Sequence, residues 1–258
     1  MYQLIKEIVE YRELIWALAL KELRIRYKRS FLGFLWALLN PLLMMVVYTI
    51  VFSTIFSGRI KNYSIFLISG LFPWTFFSQS LSYSVLSIVS NSTLLKKVHV
   101  AKSVFVLSVV LSNLFNFLFS LVPMALLILI LGHPFYWTWV YFPIPLVCLF
   151  ALALGFGFFF ATANVFFRDV AHLIQIVITA WFYFTPILYT LDFISPKYHI
   201  LFRLNPMLYI INGFHLSVFY GTLPSAASIA MSFFCGFVPL LLGYLIFRRY
   251  QDTFIYYL

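Results

Sequence analysis

The chain has 258 residues, of which 64% are hydrophobic, 21% aromatic and only 9% charged, with a mean hydropathy of +1.00. That is too little charge to cover the wet surface of a soluble fold of this size, so disorder and an ordinary soluble enzyme are both excluded. The formal net charge of +10 is read as basic flanks of membrane spans facing anionic lipid, with no nucleic acid as partner.

The apolar runs are continuous and do not alternate, which argues for helices and against a transmembrane barrel. The fold class expected is all-α, a polytopic membrane protein with six transmembrane helices. Cys148 and Cys235 each sit inside an apolar run and read as reduced core residues, with no disulfide framework and no metal spacing.

Residues 1–30 form a cytoplasmic segment, amphipathic and then basic. Leu4, Ile8, Tyr11, Ile15 and Leu18 repeat at helical spacing opposite Gln3, Lys6, Glu7, Glu10 and Glu13. The pattern predicts an amphipathic helix over 3–18 lying along the membrane surface or on a partner protein, with Trp16 at headgroup level. Charges of both signs interleave here, so no cleavable signal peptide is expected. Lys21, Arg24 and Lys28 then share one face, suited to anionic lipid or to an acidic docking partner.

The remainder, 31–258, holds the spans. A span needs about 20 mostly apolar residues, which places them near 33–56, 63–89, 100–131, 140–167, 170–189 and 226–247. The fourth and fifth are separated only by Arg168-Asp169; leaving that pair at mid-bilayer would cost roughly 5–7 kcal/mol, so a tight polar turn is expected there. Thirteen basic residues fall in the N-terminal segment, the 90–102 loop, the Arg168 turn and the C-terminal tail, against Arg59, Lys61, Lys197 and Arg203 in the other segments. That bias puts both termini in the cytoplasm.

Two connecting segments are unusual. Asn91 to Val100 is short yet carries Leu94, Leu95 and Val98, which suggests a short helix capped by Asn91 or Ser92 and a protein contact. Residues 190–224 are largely apolar but too broken to span, which suggests short re-entrant or surface-lying helices on the outer side.

On the first span Tyr48, Phe52 and Phe56 form one stripe, and on the fifth Trp181, Phe182, Tyr183 and Phe184 run together. Such rings suit interfacial belts and lipid-facing packing, or the C–H faces of sugars in a conduit. On the fourth span Ala153, Gly157 and Ala161, with the pair Ala151 and Gly155, permit close helix approach within one chain. After Glu22 only Asp169, Asp192 and Asp252 carry carboxylates, all at span ends, and the five histidines are scattered. No catalytic group, metal site, phosphate loop or ion relay is legible. Any uphill work must come from another subunit.

Four segments taken together resemble one family. The run from Leu18 to Pro41 (LALKELRIRYKRSFLGFLWALLNP), then Phe167-Arg168-Asp169-Val170, Trp181 to Ile187, and Leu204-Asn205-Pro206-Met207 are similar, in that order, to type-2 ATP-binding-cassette permeases that export polysaccharide, most of all the membrane subunits of O-antigen exporters. The resemblance covers nearly the whole chain. It implies a homodimer paired with two copies of a separate ABC ATPase, which carries the ATP and Mg, so that this chain is a transporter subunit with no cofactor of its own. It places the chain in the bacterial inner membrane, with both termini cytoplasmic.

The resemblance also implies roles for residues. Thr93, Leu94, Leu95, Lys96 and Lys97 would dock on the ATPase. Tyr48, Phe52, Phe56, Trp181 and Tyr183 would line the conduit, and 190–224 would gate its exit. The cargo would be a polyprenyl-diphosphate-linked polysaccharide, its diphosphate or the lipid headgroups met by Lys21, Arg24, Arg26 and Arg29; Arg168 and Asp169 form the cytoplasmic turn. Export of teichoic acid or capsule shares the same motifs. A drug or lipid exporter of the same superfamily, or an integral membrane enzyme acting on lipid-linked sugars, are the remaining readings.

Overall fold

The computed structural model describes residues 2–27, 35–56, 60, 62–98 and 100–258. The described residues form helices and turns with no strand. In chain order these are α1 (Tyr2–Glu10), α2 (Arg12–Tyr27), α3 (Leu35–Phe56), α4 (Tyr63–Ser90), α5 (Ser92–Lys97), α6 (Ser103–Ile130), α7 (Pro143–Phe166), α8 (Val170–Tyr183), α9 (His199–Arg203), α10 (Pro206–Phe214), α11 (Ala226–Tyr250) and α12 (Phe254–Tyr257). Among the described residues three helical stretches are both long and apolar enough to cross a membrane: Ser103–Ile130, Trp137–Phe166 and Ala226–Tyr257.

Helices occupy all six segments read as spans, but two expectations change. The fifth segment, expected over 170–189, is helical only over Val170–Tyr183. Its 14 residues reach about 21 Å, short of a hydrocarbon core of about 30 Å. Pro186 is the cause: it has no N–H to continue the ladder and it disfavours helical geometry at the residue before it. The N-terminal helix expected over 3–18 is instead two helices meeting at Tyr11, with Leu4, Ile15, Leu18 and Ala19 buried.

The core is built around α7, which packs on α11 along one face and on α4 and α6 along another. Glycine sets how close these helices come. A Cβ on Gly155 would strike the backbone of Pro239 and Leu240 in α11, and a Cβ on Gly243 would strike the Gly155 carbonyl. Two residues further along α7, on the opposite side of the helix, a Cβ on Gly157 would come within 3.1 Å of Ser84 in α4 and 3.2 Å of Val106 in α6. The small residues of α7 therefore serve packing within one chain, on two faces.

α2 crosses α6 rather than running beside it. Trp16 meets Phe115 edge-on at 5.2 Å, while Arg26, ten residues on, reaches Asn113. That crossing lies about 15 Å along α6 from Ser103. In the stretch of α4 and α6 beyond it, the buried residues include Ser80, Ser84, Ser87, Ser103, Ser108 and Ser112. The hydroxyls of Ser87 and Ser108 donate to carbonyls three residues back in their own helices.

Overpacking a close helix contact costs about 1–3 kcal/mol. Gly243→Ala is expected to lower the thermal unfolding midpoint of the detergent-purified chain by several degrees, read by fluorescence-detected size exclusion. Gly157→Ala, whose neighbours are a side chain and a methyl group rather than backbone, should lower it less.

Candidate functional site

The expected docking segment forms α5, six residues long. Asn91 stands at its start but does not cap it; its side-chain amide donates to the Ser87 carbonyl at 2.8 Å and closes α4 instead. Of the expected contact residues, Leu95 points inward at 6% exposure, while Thr93, Leu94, Lys96 and Lys97 are exposed. α5 therefore offers one outward leucine flanked by two ammonium groups.

Around α5 the chain ends are tied to the loops. Lys102 Nζ donates to the Gln251 carbonyl at 2.7 Å, where burial lowers its pKa and nearby Asp252 partly restores it. Ser103 donates to Glu7 at 2.6 Å. At the polar turn between α7 and α8, Arg168 donates to the Tyr257 carbonyl at 2.9 Å. The Asp169 carbonyl accepts the His172 and Leu173 amides, both at 3.0 Å. α5, the Arg168 turn and α12 thus share one end of the bundle, the end that also carries α1.

A groove of about 290 Å³ runs between α3, α4 and α8, with Asn40, Tyr48, Thr75, Ser78, Thr179 and Tyr183 supplying its polar lining. Tyr48 stacks on Phe182 at 6.0 Å and 27°, and Tyr183 is 61% exposed. The hydroxyls of Thr75, Ser78 and Thr179 donate to carbonyls of their own helices. Each has spent its one proton, so what it can offer the groove is oxygen lone pairs. The surface is ring-faced, uncharged and rich in acceptors.

Two residues of the expected aromatic stripe, Tyr48 and Tyr183, come together here. Trp181 does not line the groove: it lies between Phe77 and Phe156, edge-on to each at 5.1 and 5.2 Å. Its indole N–H donates to Asn205 Oδ1 at 2.8 Å. Phe52 and Phe56 lie on α3, but their side chains fall outside the described residues.

Asn205 is a hub that sequence reasoning quoted as part of a motif without finding its role. Its Oδ1 also accepts the Met207 amide at 3.0 Å and so caps α10. Its Nδ2 donates to the Phe184 carbonyl and to Thr185 Oγ1, both at 2.9 Å. Two of the four quoted segments are therefore one structural unit, in which the broken end of α8 is held by the start of α10.

The basic face separates in the same way. Lys21 and Arg24 are exposed, and Arg29 lies outside the described residues. Arg26 turns inward: its Nη1 donates to Asn113 Oδ1 at 2.9 Å and to Gln79 Oε1 at 3.4 Å. Its guanidinium lies 4.3 Å from the centre of the Tyr83 ring. The sequence signal for this site was Gln79 on α4 and Asn113 on α6, positions on apolar helices where a polar side chain needs a partner.

The ABC-2 type transporter family matches residues 13–220. An O-antigen export system permease protein RfbA of Myxococcus xanthus is 34% identical over 228 residues, covering 88% of each chain. Two proteins of the same name from Klebsiella pneumoniae are 33% and 32% identical over 235 residues, 91% of this chain and 90% of theirs.

A hydrogen bond to a charged group contributes about 1.5–3 kcal/mol. Arg26→Ala should therefore lower the thermal midpoint of the purified chain by a few degrees, whereas exposed Arg24→Ala should leave it unchanged within error. Equal shifts would place Arg26 among the surface charges.

Proposed function

The chain belongs to the ABC-2 type transporter family, and on that basis we propose that it is the membrane permease of an ATP-driven O-antigen exporter. It acts as a homodimer with two copies of a separate ABC ATPase and moves a polyprenyl-diphosphate-linked polysaccharide across the inner membrane. The observation that carries this reading is the similarity to O-antigen export permeases over about nine-tenths of the chain.

The groove gives the reading its chemistry. A glycan moving through a pore needs many weak, interchangeable contacts, and a tight site would stall it. Aromatic faces packing on sugar C–H groups, with hydroxyl oxygens accepting sugar O–H bonds, supply such contacts. The exposed side of Tyr183 and the outward apolar face of α3, with Val47, Ile50 and Val51 more than half exposed, form one wall only. A second copy facing this wall would close the conduit.

α5 is the element for the ATPase, with Leu94 as the apolar anchor and Lys96 and Lys97 at its rim; Leu95 anchors α5 to its own bundle. The six-span topology with cytoplasmic termini puts α2 at headgroup level. There Lys21 and Arg24 meet lipid phosphate or the cargo's diphosphate, and Arg26 fixes the helix. The serine-rich ends of α4 and α6 then project beyond the lipid toward the ATPase.

The test is surface glycan in cells lacking the chromosomal copies of both the chain and its ATPase, complemented by the chain with and without that ATPase. Display should return only with both. Leu94→Asp, which places an unpaired charge in the docking contact, should cut display about ten-fold or more and should abolish co-purification of the ATPase. Tyr183→Ala should lower display severalfold while the ATPase still co-purifies. Full display in the Leu94→Asp strain would refute the docking assignment.

A further inference from the structure

A second cavity, of about 560 Å³, lies at the opposite end of the bundle from α5. It opens between the irregular segment after α8, the C-terminal end of α9, helix α10 and the start of α11. Its size is within the range of pockets that hold small organic ligands. Neither the groove nor the docking contact uses it.

Its lining is that of a sugar site. Tyr189, Tyr209 and Tyr220 bring aromatic faces, and Asn212, Asp192 and Arg203 bring planar hydrogen-bonding groups. Tyr189 and Tyr209 have their hydroxyls committed, donating to the carbonyls of Tyr183 and Arg203, so each ring is held while its face is left to a ligand. Asn212 is exposed. Aromatic faces pack on the C–H face of a pyranose, and amide, carboxylate and guanidinium groups bond its hydroxyls in pairs.

A buried aromatic pair backs the wall. His215, 4% exposed, lines the cavity beside Phe66, on which it stacks at 4.2 Å and 7°. Its Nδ1 is 2.8 Å from Ser69 Oγ; its Nε2 meets no strict hydrogen-bond geometry, although the Pro186 carbonyl lies near enough to the ring to favour its protonated form. The absence of a side chain on Gly70 is what admits the ring, since a Cβ there would sit 2.9 Å from its Cε1. Burial pushes the imidazole down to about 4, against a smaller opposing effect of the Pro186 carbonyl, so the ring is neutral at ordinary pH.

The charges select among ligands. Asp192 and Arg203 are the charged residues of the lining, and they cancel. An anion such as a phosphate headgroup would gain from Arg203 and lose to Asp192, whereas a neutral sugar can bond to both. We propose that this cavity is a binding site for a neutral sugar residue of the exported glycan, at the end of the conduit away from the ATPase. The proposal rests on the export reading.

The test uses the full chain with its ATPase in phospholipid nanodiscs. The probe is the oligosaccharide repeat released by mild acid from the surface glycan of the same cells, with glycerol 3-phosphate as the anionic comparison. Saturation-transfer NMR should give signal on the sugar ring protons and none on glycerol phosphate. Arg203→Ala with Asn212→Ala should cut that signal about five-fold or more, while Lys197→Ala, an exposed change outside the cavity lining, leaves it unchanged. Both altered side chains are exposed; should the pair fail to assemble, Asn212→Asp alone serves and should weaken the signal in the same direction. No sugar signal, a signal untouched by the cavity variants, or a stronger one on glycerol phosphate overturns the proposal. Glycan display by the wild-type complex is scored in parallel. Display without a cavity signal defeats only the sugar site; absence of display defeats the export reading itself.

Discussion

Lipid has no hydrogen bonds to offer, so each polar group carried into it must be answered from within the protein. This constraint organises the chain. Many hydroxyls along α4, α6, α7 and α8 donate to carbonyls of the preceding turn, as Thr75, Ser120, Thr162 and Thr179 do, whereas those of buried Ser80, Ser84 and Ser112 meet no partner among the described residues. The larger polar side chains bridge helices: Asn164 donates to the Val85 carbonyl at 3.0 Å, and Asn113 and Gln79 together accept from Arg26. Where backbone must leave the helix, at the end of α8, one side chain, Asn205, meets two of its neighbours' groups and caps the next helix as well.

That economy shapes what the transporter can do. Groups consumed in holding the fold cannot relay protons or grip an ion, and the groove between α3, α4 and α8 offers rings, hydroxyl oxygens and the Asn40 amide, with no charged side chain in its lining. Such a surface suits a long neutral polymer, whose successive units must each bind weakly and let go. It also separates path from motor. The element suited to meet a motor, α5, sits at one end of the bundle; the cavity lined by Asp192 and Arg203 sits at the other.

Much of this was legible in the sequence and some was not, for physical reasons. Helices over the apolar runs follow from length and composition, and α5 followed from leucines in a short loop. The small residues of α7 announced close packing, but periodicity does not say which neighbour each meets, so the split of Gly155 toward α11 and Gly157 toward α4 and α6 needed coordinates. Pro186 was visible as a breaker, yet hydropathy carried the fifth segment past it, because Ile187 and Leu188 are as apolar as a span. They are buried instead in a non-helical stretch. The break at Tyr11 was hidden because the amphipathic repeat continues through it. Trp181 and Tyr183, two residues apart, read as one aromatic run; on a helix they diverge by about 200°, and only Tyr183 faces the groove. Partners distant in sequence, Asn205 for Trp181 and Asn113 for Arg26, leave no local signal at all.

The central claim is that the chain holds a path and no motor. Reconstituting it into liposomes with lipid-linked glycan on the accessible leaflet, with or without its ATPase, and following glycan protected from an added glycosidase, tests this directly. The account predicts protected glycan only when both the ATPase and hydrolysable ATP are present. Accumulation by the chain alone, under an ion gradient or none, would contradict it.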